Sequence, residues 1–101
     1  MIDKIEWGGR TFALILRGSH EAEGVNFVTS ADNPLQLDIL KHQQGTRIKP
    51  HIHKNLQKTI NEVQEVLHIE YGKVEVEFYE SAGEKVASTI LNSCDTILLL
   101  S

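Results

Sequence analysis

Apolar and polar positions alternate with a period of two through much of the chain, the pattern of strands with one buried face. Val74, Val76 and Phe78 alternate with Glu75, Glu77 and Tyr79. Ser81-Ala82-Gly83-Glu84 then reads as a turn and Lys85 to Leu91 as the returning strand, which predicts a hairpin. Upstream, Leu35, Leu37 and Ile39 alternate with Gln36 and Asp38 until Gln43-Gln44-Gly45 breaks the run. Thr11 to Leu16 and Val25 to Thr29 predict shorter strands on either side of a polar loop around Gly18 to Gly24. A last strand is predicted over Thr96 to Leu100, after the turn Asn92-Ser93-Cys94-Asp95. No segment carries a convincing helical stripe. The best, Asn55 to Leu67, runs into the alternation Glu65, Leu67, Ile69 and leaves at most a short helical turn near Lys54 to Lys58. Roughly seven or eight strands joined by turns predict an all-β sandwich or barrel.

Length and charge narrow the picture. With 101 residues the chain suits a single domain over 1–101. A net charge of -4, with no Lys/Arg block, makes nucleic acid and anionic membranes poor partners. The single cysteine, Cys94, cannot form an internal disulfide, which suits a reducing compartment. The N-terminal Met1-Ile2-Asp3-Lys4-Ile5-Glu6 carries charges where a secretory leader needs an apolar stretch. The longest clean aliphatic run, Ile97 to Leu100, is far short of the ~20 residues of a membrane span. A cytoplasmic location is the expectation.

The chemically informative stretch is Gly45 to Gly72. His51 and His53 form His-x-His, and on a strand residues two apart share a face. Two imidazoles side by side are what a metal needs from a β scaffold. Glu65 lies twelve residues beyond His53, at the start of the next predicted strand. Were those two strands paired antiparallel, a carboxylate would arrive beside the imidazoles. Two His and one carboxylate with open positions suit a divalent ion such as Fe, Mn, Zn or Ni.

Gly45, five residues, His51-x-His53, a spacer, Glu65, six residues and Gly72 resemble the first conserved motif of the cupins, which are small jelly-roll β-barrels. The spacer Lys54 to Gln64 has eleven residues, against the usual three or four of that family. The resemblance covers about Leu35 to Leu100 and implies a cupin-type barrel with His51, His53 and Glu65 as metal ligands. Gly72 would supply the tight turn into the following strand. The family's second motif, an acidic residue, a proline-glycine turn, then a ligand His and an Asn, is missing. Cys94-Asp95 stands at its start, and Thr96 to Ser101 follow without Pro, Gly, His or Asn. The chain is then a fragment, or a cupin without its last ligand and last strands. Such a barrel leaves a strand edge exposed at Ile97 to Leu100, and a homodimer is the expected remedy.

Arg47 and Lys49 continue the two-residue spacing of His51 and His53. On a regular strand they point with the imidazoles and would draw a carboxylate or phosphate, Arg47 through its planar fork. Pro50 could break the alternation with a bulge. His68, three residues after Glu65, falls on the opposite face; His42 and His20 read as solvated, and Cys94 and Asp95 as turn residues.

Three functions remain open. A metal-dependent cupin would act on or bind a small, anionic molecule. A metal-independent sugar-nucleotide epimerase or isomerase of the same fold would use His51 as general base, with Arg47 and Lys49 on phosphates. A non-catalytic module would only bind a small ligand. Fold-level resemblance does not choose among them.

Overall fold

The computed structural model describes residues 2–18, 24–53, 60 and 62–100. The short helical turn predicted near Lys54 to Lys58, and His20 in its loop, lie outside the described residues. Among the described residues eight strands run in chain order: β1 (Ile2–Trp7), β2 (Arg10–Leu16), β3 (Gly24–Phe27), β4 (Asp38–Lys41), β5 (Glu65–His68), β6 (Lys73–Tyr79), β7 (Lys85–Asn92) and β8 (Thr96–Leu99). The described residues contain no helix, and all strand pairs are antiparallel. The all-β expectation therefore holds. Among the described residues none of the sheets closes into a barrel.

The chain divides into two compact units, residues 1–21 with 62–101, and residues 22–61. The first holds a four-stranded sheet ordered β1-β2-β8-β5 and the hairpin β6-β7. Ala13, Ile15 and Ile97 from the sheet and Phe78 and Leu91 from the hairpin are buried in one cluster. Phe12 joins them, its ring edge-on to that of Phe78 at 6.3 Å. The alternation of β6 explains the hairpin's orientation. Phe78 is buried and Val76 half-buried against this core, while Glu75, Glu77 and Tyr79 are exposed. Burying an aliphatic side chain of this size is worth about 1.5–3 kcal/mol, so these few residues are the main drive for this unit.

One expectation about this unit needs correction. Ile97 to Leu100 does not form a free edge: β8 pairs with β2 on one side and β5 on the other, and Ile97 and Leu98 are fully buried. The edges of the sheet are β1 and β5. Trp7, at the end of β1, is 46% exposed.

The second unit is built on the β3–β4 hairpin, in register Gly24 with Lys41 through Phe27 with Asp38. Beyond it, the Val28 amide donates to the Leu37 carbonyl at 2.8 Å, and the Leu37 amide donates to the buried Thr29 Oγ1 at 3.0 Å. The predicted strand over Leu35 to Ile39 is displaced toward the C-terminus. Gln36 is taken up by the turn before it, its Nε2 donating to the carbonyls of Ser30 and Asn33 at 3.1 and 2.7 Å. Residues 42–53 follow without regular strand pairing.

Candidate metal and ligand site

His51 and His53 do not sit on a strand, contrary to expectation. Pro50 contributes no amide hydrogen to a ladder, and the segment from Arg47 to His53 is exposed throughout. The imidazoles nevertheless come together. Their ring centroids are 5.2 Å apart and the planes are tilted by 21°, a stacked pair. His51 Nδ1 lies 3.3 Å from the Lys49 carbonyl oxygen. Gly45, which opens the motif, has φ of 90° and so occupies a conformation that favours glycine.

Glu65 begins β5 as expected, and is exposed. Its strand does not pair with the histidine segment. It pairs with β8, Glu65 opposite Leu99 and His68 opposite Thr96. Glu65 and the two histidines belong to different compact units. His68 faces away from Glu65, with Nδ1 2.8 Å from Thr96 Oγ1. Gly72 has φ of 112° and its amide donates to Ser93 Oγ at 2.8 Å, so the glycine does make the turn into β6. Among the described residues, no three His, Cys, Asp or Glu side chains converge to hold a metal ion. The donor types of His51, His53 and Glu65 fit a divalent ion; their meeting is not displayed.

What the structure does bring together is a cavity within the second unit. It has a volume of about 470 Å³, and both imidazoles line it. Phe27 and Leu40 from the hairpin and Ile48 from the following segment supply apolar walls, and Asp38 and Gln36 supply polar ones. Arg47 and Lys49 are exposed and not among its lining. Sequence reasoning missed Asp38 and Phe27, which face each other across the hairpin register. The only signal was the alternation that places Asp38 and Leu40 on one face.

A second feature escaped the sequence. Arg17, just beyond β2, donates from Nε to Asp3 Oδ2 at 2.8 Å, from Nη1 to Asp95 Oδ2 at 3.1 Å and the Ile90 carbonyl at 2.7 Å, and from Nη2 to Thr89 Oγ1 at 3.2 Å. Asp95 is buried and also accepts from the amides of Gly18 and Asn92, both at 2.8 Å. Burial pushes its carboxyl up, but those two amides and the Arg17 guanidinium outweigh it and hold the group below its ordinary value. Asp3 chiefly raises the Arg17 guanidinium above its own. The arrangement ties β1, β2, β7 and β8 together. Nearly all of its polar atoms are committed, which marks it as a structural clamp.

No family model matches the chain, and neither a curated protein nor a solved structure matches it significantly. No helix among the described residues is long and apolar enough to cross a membrane.

Proposed function

We propose that the chain is a cupin-type β-protein that binds a divalent metal through His51 and His53, with Glu65 as the carboxylate, and takes a small molecule beside it. The stacked imidazole pair carries this reading. Two exposed imidazoles held side by side are the kind of paired nitrogen donor that a divalent ion takes. The positive φ at Gly45 and Gly72 supports it, since both motif positions need glycine. The antiparallel pairing of the described strands is of the kind a jelly roll uses. A bound ion would supply Lewis acidity or oxygen activation to the small molecule.

Elemental analysis of protein purified without chelator tests the reading. One metal per chain, lost in His51→Ala and in His53→Ala, is the expected result. Metal-free protein that also fails to take up zinc or cobalt on titration sinks it. The second reading is then a metal-independent binder or isomerase-type cupin. It is favoured by the placement of Glu65 in a different unit from the histidines, while Glu65 is not among the described residues that line the cavity beside them.

A further inference from the structure

We infer that the cavity of the second unit binds a small amine with an aromatic or branched aliphatic body, its ammonium group accepted by Asp38. The inference shares two imidazoles with the metal reading but does not need an ion.

The walls specify the body of the ligand. Phe27 is 70% exposed, Ile48 58% and Leu40 54%, and all three border the same cavity as the histidines. Scattered apolar side chains on a surface are ordinary, but three around one concavity with two imidazoles are the composition of a ligand site. Covering them removes apolar area from water at about 25 cal/mol per Å², which favours an apolar occupant. A volume of about 470 Å³ holds a single ring or a branched chain with its substituents, and lies within the range of small-molecule sites.

The polar atoms specify the head. Asp38 stands at the start of β4, exposed, on the face it shares with Leu40. Among the described residues its carboxylate has no hydrogen bond or ion pair. An ionised carboxylate only accepts. Gln36 has already used its Nε2 on the carbonyls of Ser30, Ala31 and Asn33, so the atom it has left is an acceptor, Oε1. Among the described residues no lysine or arginine lines the cavity. The ring nitrogens of His51 and His53 can donate or accept, and Asp38 is the lining carboxylate that a ligand's ammonium would meet. A carboxylate or phosphate head would meet Asp38 as a like charge. The apolar walls then take the other end of the molecule.

Phenethylamine and phenylacetate separate the heads while keeping the phenyl body. Each is titrated into chelator-treated full-length protein with ¹³C-labelled Ile and Leu methyl groups. Phenethylamine should shift the methyl signals of Ile48 and Leu40 and bind at least tenfold tighter than phenylacetate. Asp38→Asn should remove that tenfold preference while phenyl-induced methyl shifts persist. Leu40→Ser should weaken both probes alike. Phenylacetate binding as tightly as the amine, a preference that survives Asp38→Asn, or shifts confined to residues outside the cavity would each overturn the assignment. Because the protein is free of metal throughout, failure here leaves the metal reading standing. Failure to bind zinc or cobalt likewise leaves this assignment standing.

Discussion

The Nη1 of Arg17 lies 3.1 Å from the Oδ2 of Asp95, an ion pair between residues 78 positions apart that joins the end of β2 to the start of β8. Its carboxylate partner is almost fully buried, and its guanidinium about three-quarters so. Removing one member of such a pair leaves the other desolvated and unpaired. Asp95→Ala also strips the acceptor from the amides of Gly18 and Asn92. The expected loss is about 3 kcal/mol, read as a fall in denaturant midpoint. A loss under about 0.5 kcal/mol would mean that the clamp contributes nothing to stability.

The same group sets a pH dependence. In the folded chain Asp95 titrates below its ordinary value of 3.8. The folded state therefore favours the ionised form, and the contribution is complete above that value. It is lost as pH falls through the unfolded value and then the lower folded one. The stability difference between the protein and Asp95→Asn should stay flat down to about pH 5 and shrink below pH 4. A difference that grows on acidification would reverse the sign and refute the clamp as described.

Gly18 and Cys94 meet at the same corner. A Cβ on Gly18 would lie 2.8 Å from Cys94 Cβ and 3.0 Å from the Cys94 carbonyl oxygen. Gly18→Ala should therefore cost about 1–3 kcal/mol. Cys94 has φ of 72°, where a side chain is strained. Cys94→Gly should stabilise the chain by about 0.5–1 kcal/mol, and Cys94→Val should destabilise it. Thermal unfolding of the three variants reads all of this, and a stabilised Cys94→Val would remove the strain from the account.

The strands that could be read from sequence are those whose side chains obey one burial rule. Phe78 and Val76 point to one core and the glutamates between the apolar positions to water, so β6 and its hairpin partner were legible, although Val74 at the start of the run is exposed. The strand β1 was not, because Ile2-Asp3-Lys4-Ile5-Glu6-Trp7 carries no sustained apolar–polar alternation. Asp3 is a strand residue that answers Arg17. The clamp itself could not be read, because neither Arg17 nor Asp95 has its partner nearby in sequence. At the candidate site the two-residue spacing anticipated the closeness of the His51 and His53 rings, which is a local matter. It wrongly supplied a ladder beneath them, since alternation cannot show that Pro50 and exposed neighbours leave the segment without a partner strand. The cavity depends on which face of β4 meets the histidines, which is tertiary information.

His68 and Glu65 provide a paired test of strand facing. They lie on opposite faces of β5, and His68 is engaged by Thr96. Glu65→Ala should weaken cobalt or zinc binding by tenfold or more, while His68→Ala should leave it within twofold. Calorimetric titration measures both. Equal effects from the two substitutions would place neither at the metal and would favour the metal-independent reading.

Leu98 decides where a second copy could add. It lies in register with Leu14 of β2 and Val66 of β5 and is fully buried. Were β8 an exposed edge held in a dimer, Leu98→Lys would release a folded monomer. In the interior of the sheet the same change buries an ammonium with no partner, at a cost of several kcal/mol, comparable with the whole stability of a small domain. The expected result is loss of the β-type circular dichroism signal at every protein concentration. Light scattering of the unmutated chain reads the dimer separately, and within the four-stranded sheet it is β1 and β5, not β8, that present an edge to a second copy. A Leu98→Lys protein that keeps the parent spectrum as a monomer, from a parent that scatters as a dimer, would restore β8 to the interface.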